Sequence, residues 1–415
     1  MRTETRAPAR APDGPRVPMS RAIATVTALV VALASASARA ECLGALETKI
    51  VPLPVWATEP NEGNTWGAMP VFVRVCPDSK QTQWILAPSV TWNSIIHATG
   101  TIRFYDYPDP ETTLSVIASA STRINYLLWA VWQRLPAAEW AWTDEATLRV
   151  ERTAFARFFG LGPDTSETAE SSYTASRILA IARRGVNLPA HLNIGLSLGL
   201  EHDGVEDQGV PDLPLAPEVF PDAPGMDGAT VIWQGLDLRY DDRVGRDFAE
   251  AGLRLDLSGA VVEGLSGSPT YLRVGAQARG IVHELSWLSG AARLSWTAVT
   301  ESDVPFVQQS QLGGSYLLRG FTEGRFIDRQ AWTIEVEQRI RVFQTHVFGV
   351  IADWRMDPFI TAGQVFGSFD GMFSRTQVAA GVGLRAFVHP NVVGRIDLAS
   401  GGEGLKVYVE IGYPY

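Results

Sequence analysis

Long apolar runs are what this chain of 415 residues most plainly lacks. Past Ala40 no stretch offers the roughly 18 uninterrupted apolar residues of a membrane-crossing helix, so a helical membrane protein is excluded. Helix-period patterning is nearly as scarce, which leaves a soluble helical bundle without its buried faces. A basic excess is missing too. The 35 Lys and Arg stand against 45 Asp and Glu, a net charge of −10, and a nucleic-acid partner demands the reverse. Six histidines are scattered with no metal-ligand spacing, so no metal and no cofactor is expected. Cysteine is down to two, Cys42 and Cys76. An oxidising compartment would allow them to pair. Cys76, however, ends the first expected strand at the end far from Cys42, and the two are expected to stay unbridged.

What the chain has instead is alternation. Near the C-terminus Leu405, Val407, Val409, Ile411, Tyr413 and Tyr415 fall on one face of an extended segment, while Lys406, Tyr408, Glu410 and Gly412 fall on the other. The same period-2 pattern recurs along most of the chain. With almost no helix to cover the apolar faces, lipid is the economical cover, and outer-membrane lipid becomes the first expected partner. A hydrophobic content of 46% with 19% charged residues suits a transmembrane barrel, where half of each strand faces water. Thirteen Trp and ten Tyr suit aromatic girdles at the two bilayer interfaces.

Met19-Ser-Arg21, the apolar run from Ala22 to Ala36 and Ala38-Arg-Ala40 read as a secretory signal with an A-x-A cleavage site. Residues 1–40 are therefore expected to be removed, with 1–18 either an extended basic region or an untranslated stretch before the true start. Residues 41–63 read as a short periplasmic lead-in and 64–415 as an all-β, antiparallel barrel. Strands between 64–76 and 405–415 number about sixteen, counting 112–134 as one long strand. Connections sort into a mostly short set (95–96, 185–189, 284–285, 344–345, 389–391) and an alternate set that holds the long ones (158–171, 202–228, 301–330). Short periplasmic turns and long outer loops are the asymmetry of an outer-membrane barrel. The loop at 202–228 carries seven acids and no Lys or Arg and reads as a solvated loop.

On the strand near 331–343, Thr333, Glu335, Glu337, Arg339 and Arg341 share one face. Such a row cannot lie against hydrocarbon, where a central Arg or Lys costs about 2–4 kcal/mol, so it must line the lumen. Asp237, Arg239, Arg254, Asp256, Arg273, Arg279, Arg293, Arg385 and Asp397 follow by parity, giving a cross-linked ionic interior. Within the longest late loop, Gly313, Gly314, Leu318, Arg319, Gly320 and Phe321 are not loop-like in composition. A guanidinium fork suits paired carboxylates, so a loop folded into the lumen would place Arg319 by Glu335 and Glu337. An exposed, mobile loop tip is the alternative.

These residues resemble the BamA/TamA superfamily of outer-membrane barrels. Gly313-Gly314 with Leu318-Arg319-Gly320-Phe321, then Glu337-Gln338-Arg339, is similar to that family's [VL]RG[FY] plug loop and the strand after it. Thr58-Glu-Pro-Asn-Glu-Gly63 leading into Trp66-Gly67, Phe158 to Thr165, and Leu238 to Arg243 add three further stretches. The resemblance implies a sixteen-stranded barrel plugged from outside. Arg319 would be the loop arginine, Glu337 an acidic partner on the inner wall, and Glu335 and Arg339 its neighbours. The family's F-x-D-x-G becomes Phe359-Ile-Thr-Ala-Gly363, so Thr361 stands where the acid should be and the anchor would be weaker or shared with Asp353 or Asp357. The resemblance also implies a weak lateral seam between the first and last strands, here Trp66 and Gly67 against Val409, Ile411, Tyr413 and Tyr415. The approximately twenty residues before the first expected strand leave no room for a POTRA domain, so the reading is a POTRA-less member.

Three functions compete. Insertion or translocation of client proteins at the outer membrane needs no catalytic residue, and would call on clients or a separately encoded periplasmic partner. A gated pore or structural barrel that has lost insertase activity is the alternative. A barrel phospholipase would use Gly195-Leu-Ser-Leu-Gly199 with His202. That motif works on a strand-to-helix elbow, whereas these residues alternate as in mid-strand, so no enzyme is expected. Gly381-Val-Gly383 likewise lacks a nucleotide-binding context.

Overall fold

Backbone ladders run from Glu47 to Ile411 in a computed structural model that describes residues 42, 46–76, 82–244, 251–347, 350–388 and 392–411. The expected signal segment and its cleavage site lie outside the described residues. Thirteen strands come first: β1 (Glu47–Glu59), β2 (Gly63–Val75), β3 (Thr82–Asn93), β4 (His97–Asp109), β5 (Thr112–Ser121), β6 (Tyr126–Arg134), β7 (Trp142–Phe158), β8 (Ser171–Leu188), β9 (Leu192–Glu206), β10 (Ala229–Asp241), β11 (Gly252–Ser266), β12 (Tyr271–Leu285) and β13 (Leu288–Val299). A small hairpin of β14 (Ser310–Leu312) and β15 (Phe326–Asp328) sits in the next loop. Five more strands follow: β16 (Gln330–Val347), β17 (Val350–Phe366), β18 (Gln377–Val388), β19 (Val392–Ser400) and β20 (Leu405–Ile411). Apart from the hairpin, each strand pairs antiparallel with the next. β13 pairs β16, and β20 returns to β1, closing a sheet of 18 strands.

Eighteen replaces the expected sixteen for two physical reasons. β1 carries Pro52 and Pro54, which disguise a strand because proline cannot donate to a ladder. Here they sit opposite Pro70 and Ala68 of β2, inside a β1–β2 ladder that runs the whole length of Glu47–Glu59. Residues 47–59 are thus barrel wall and not lead-in. The 112–134 segment is two strands turned at residues 122–125, a turn with no Gly or Pro, where Ile124 takes the left-handed φ of 58°. Splitting that segment moves every earlier turn to the opposite mouth. Residues 95–96 belong with the long loops, and Ile95 and Ile96 indeed pack with Phe155, Val210 and Leu213 there.

Lipid-facing and lumen-facing positions alternate along the strands, apart from bulges such as the one between Arg341 and Phe343. On β9, Leu196 is 65% exposed while Glu201 is 1% exposed, the inverse of a soluble sheet and the signature of an apolar outer wall. Inside, β7–β13 carry a net of ion pairs. Arg183 holds Asp237 and Glu145, Arg239 and Arg254 share Asp256, and Arg177 and Arg273 share Glu201. The ionic interior does not extend to the first strands, however. Val51, Met69, Val71, Val73, Ile85 and Ala87 form a buried apolar cluster on the inner face of β1–β3, joined by Tyr105 and Tyr107 of β4. Cys42 and Cys76 are joined in a disulfide, against expectation. The missed strand explains it: β1 runs beside β2 with Glu47 opposite Val75, which returns the chain from Cys42 to Cys76.

Candidate functional site

The loop between β13 and β16 turns back into the barrel mouth. A buried apolar knot fixes it: Leu312, Leu318, Phe321 and Phe326 of the loop pack on Ala331, Val365 and Ala379 of the wall. Leu318 is fully buried and adopts a left-handed φ of 56°, a conformation costing a branched side chain about 1–2 kcal/mol, which its burial offsets. Gly320 next to it has φ 116°, and a Cβ there would meet the Ala379 Cβ at 2.7 Å and the Gly401 nitrogen at 3.1 Å. Only glycine lets the chain lie this close to β18 and the β19–β20 turn.

Arg319 projects from this turn and is fully buried. Its Nε donates to Glu335 Oε2 at 2.9 Å, one Nη to Glu337 Oε2 at 3.0 Å and the other to Asp397 Oδ2 at 3.2 Å. The Phe359 ring lies 3.5 Å from the guanidinium carbon, a cation–π stack that also excludes water. Around it Arg339 bonds Glu337 at 3.0 Å, Arg385 bridges Asp397 at 2.6 Å and Asp357 at 3.5 Å, Arg293 reaches Glu335 at 3.4 Å and Arg395 pairs with Glu410. Five guanidiniums (Arg293, Arg319, Arg339, Arg385, Arg395) thus meet five carboxylates (Glu335, Glu337, Asp357, Asp397, Glu410). Charge balance is what makes burial of such a set tolerable.

The third carboxylate is Asp397 of β19. Thr361, the position expected to take that part, is buried on β17 opposite Glu335 but makes no hydrogen bond to Arg319 among the described residues. The anchor has moved two strands along the wall, toward the end of the chain. Sequence parity had placed Asp397 inward without connecting it to the loop.

Three further residues were not singled out. The Tyr408 hydroxyl on β20 donates to the Phe321 carbonyl at 2.8 Å and accepts from the Gly320 N–H at 3.2 Å. Arg325 bonds Glu403 at 2.7 Å and the Thr165 hydroxyl at 2.8 Å, stacking on Phe159 and Phe326. Asn61, in the β1–β2 turn, donates to the carbonyls of Phe155 and Glu323, each at 3.3 Å. A buried Tyr on the polar face of a terminal strand and the Asn of Thr58–Gly63 were the available signals.

The seam differs from its expected position. Trp66 and Gly67 lie on β2 between β1 and β3, opposite Trp56 and Val55 on one side and Trp92 and Thr91 on the other. The strand that meets β20 is β1. Among the described residues their ladder is one pair, Thr58 opposite Val409, whereas β1 and β2 pair along all of Glu47–Glu59. Ile411 is the last described residue of β20, and Tyr413 and Tyr415 lie outside the described residues. In the turn beside the seam, burial and the neighbouring Glu323 and Glu410 push the Glu62 carboxyl up to about 7. Burial likewise raises Glu323 in the plug loop.

Ser197 of the G-x-S-x-G stretch lies mid-β9, facing the lumen, and His202 faces outward, bonded to Thr230 at 2.8 Å. The two sit on opposite sides of the wall and cannot meet.

A search of curated proteins finds no match. Among solved structures, BamA of Haemophilus ducreyi lacking POTRA domains 1–3 superposes with a TM-score of 0.53 at 14% identity, over 94% of this chain and 78% of that one. CdiB of Escherichia coli gives 0.49 at 13% identity over 90% and 63%, and CdiB of Acinetobacter baumannii 0.48 at 12% over 88% and 65%. This chain therefore spans just under two thirds of each CdiB. The first of these likenesses shows a shared barrel fold. The sequence pattern of the Omp85 superfamily domain matches residues 132–398, well over half of the chain, and the protein belongs to the Omp85 superfamily.

Proposed function

We propose that this barrel resides in a bacterial outer membrane and inserts or translocates client proteins there, working through the seam between β1 and β20. The observation that carries this reading is the seam itself. A closed barrel with continuous ladders has no edge to offer, whereas here the described residues of β1 and β20 meet at a single pair, and parting them would free edges to which an extended client can add by strand pairing. No catalytic group or cofactor enters this scheme. The inward loop held by Arg319 serves as the plug, and Glu335, Glu337, Asp397 and Arg339 are its seat. Export by a cleaved signal over residues 1–40 belongs to the same proposal.

The test is a reversible lock. Thr58→Cys with Val409→Cys, oxidised to a bridge, should abolish assembly of clients in cells otherwise depleted of the protein, and reduction should restore it. Quantitative proteomics of outer membranes reads the result. Unchanged membranes on depletion, or full activity in the bridged form, would remove the reading. A second reading, a gated pore, is favoured by one observation: Arg319 of the inward loop is held by three carboxylates of the wall. Deleting residues 313–323 should then raise single-channel conductance, and a barrel that stays closed after the deletion counts against it.

A further inference from the structure

The plug loop touches both flanks of the seam at the barrel mouth. On the β20 flank its grip is broad. The Tyr408 hydroxyl accepts from the Gly320 N–H at 3.2 Å and donates to the Phe321 carbonyl at 2.8 Å. Arg325 bonds Glu403 of the β19–β20 turn at 2.7 Å, and the Phe321 ring packs over Gly401 of the same turn, where a Cβ would collide with it. On the β1 flank the described contacts run through one residue. Asn61, buried in the β1–β2 turn, donates to the Glu323 carbonyl of the plug and to the Phe155 carbonyl of β7, each at 3.3 Å, and its own carbonyl accepts from Arg157 at 2.8 Å. β7 lies five strands from β2 round the wall, so these bonds form a chord across the mouth. Asn93 of β3 holds the turn from behind, donating to the Glu62 carbonyl at 2.9 Å and the Asn64 carbonyl at 3.2 Å, so the turn keeps its shape when it moves.

Between the described residues of β1 and β20 the ladder is one pair, Thr58 opposite Val409, so the backbone contributes little to keeping them together. We propose that the seated plug staples this seam shut, bridging β20 to the β1–β2 turn, and that Asn61 is the catch that lets go. The two grips are unequal. β20 and its turn meet the plug through two hydrogen bonds, an ion pair and a ring contact, and β20 is laddered to β19 from Leu405 to Ile411. The β1–β2 pair, among the described residues, is bonded to the plug by the Asn61 amide, a neutral hydrogen bond that shifts an equilibrium by roughly tenfold at most. The weaker grip parts first. As the seam opens, β1 and β2 swing away together while β20 stays with the plug. Asn61 is thus a positioning residue, acting through β1. Drawing the plug from its seat loosens both flanks at once, because Gly320, Phe321 and Glu323 belong to one loop. The proposal rests on β1–β20 being the seam that opens.

The experiment uses the full barrel in phospholipid vesicles, with nitroxides on Thr58→Cys and Val409→Cys across the seam; the native disulfide takes no label. Pulsed dipolar spectroscopy reads the share of open barrels. Asn61→Ala should raise the open-to-closed ratio about thirtyfold, for two net hydrogen bonds lost. Tyr408→Phe also removes two bonds to the plug, but on the stronger flank, and should leave the seam as in the parent. A label on Glu323→Cys should move away from one on Thr58→Cys in the Asn61→Ala barrel, and should hold its distance to one on the exposed Leu405→Cys of β20. A seam as closed in Asn61→Ala as in the parent, a Tyr408→Phe seam that opens as far, or a Glu323–Leu405 distance that lengthens overturns the staple. If Asn61→Ala fails to fold, deleting residues 313–323 removes the staple outright, and a seam that stays closed in that barrel overturns it too. A seam that opens on loss of Asn61 in a barrel that assembles no client upholds the staple and removes the proposed function; an unmoved seam in a barrel that assembles clients does the opposite.

Discussion

Replacing Arg319 by alanine tests the central knot most directly. The side chain is fully buried and donates to three carboxylates at 2.9, 3.0 and 3.2 Å. Breaking a buried ion pair by removing one partner costs about 3–5 kcal/mol, mostly because the abandoned charge stays buried. Here four guanidiniums remain to face five carboxylates, so the excess is one charge, partly shared by Arg385 and Arg339. That argues for the lower end, about 3 kcal/mol, with about 2 kcal/mol more from the lost stack on Phe359 in this desolvated site. The assay is heat modifiability on a gel, where folded and unfolded barrels migrate differently. Arg319→Ala should unfold several degrees earlier while still inserting into membranes, and Arg319→Lys should fall between, keeping charge but losing the fork. Adding Glu337→Gln to Arg319→Ala should recover part of the loss by removing the stranded charge. An unchanged midpoint in Arg319→Ala, or a further drop in the double variant, would refute the reasoning.

Three other outcomes follow from the same geometry. Glu62 holds its proton more tightly in the folded barrel than in the unfolded chain, so folding stability falls as pH rises from the ordinary value of 4.5 to about 7. Glu62→Gln should therefore match the parent in acid and outlast it above neutrality in urea titrations. Reducing the Cys42–Cys76 bridge, with its sequence separation of 34, should cost at most about 4 kcal/mol by the loop-entropy relation. Denaturation with and without reductant measures this, and Cys76→Ser should be blind to reductant. Tyr408→Phe removes two hydrogen bonds to the plug and should cost roughly 1–3 kcal/mol, with faster proteolysis of the loop at residues 315–323 as the local readout.

Most of the wall was legible because a barrel strand writes its two environments into alternate residues. Arg339 and Glu337 could only face inward once Ile334 and Val336 faced lipid. β1 was hidden because its prolines read as a break, and that one omission displaced the seam, split the two cysteines and trimmed the barrel. The turn at residues 122–125 was hidden because it uses no glycine or proline. The loop arginine and two of its acids stand close in the chain and could be linked by motif. Asp397 and Tyr408 lie about eighty residues away, and no local pattern announces which wall positions a re-entrant loop will touch. The apolar inner face of β1–β4 was also missed, since Val51, Met69, Val71 and Val73 look the same whether they face lipid or one another.

The paired strands β1 and β2 have a mechanical consequence. A turn joins them at one end, a covalent sulfur bridge at the other, and thirteen opposed positions lie between. Together they form a closed ring of chain that behaves as one stiff paddle, so β1 cannot be peeled from its neighbour like the free lip of an envelope. Whatever widens the gap must swing the paddle whole or draw β20 away, and β20 is itself held on its other side by the backbone ladder to β19 from Leu405 to Ile411.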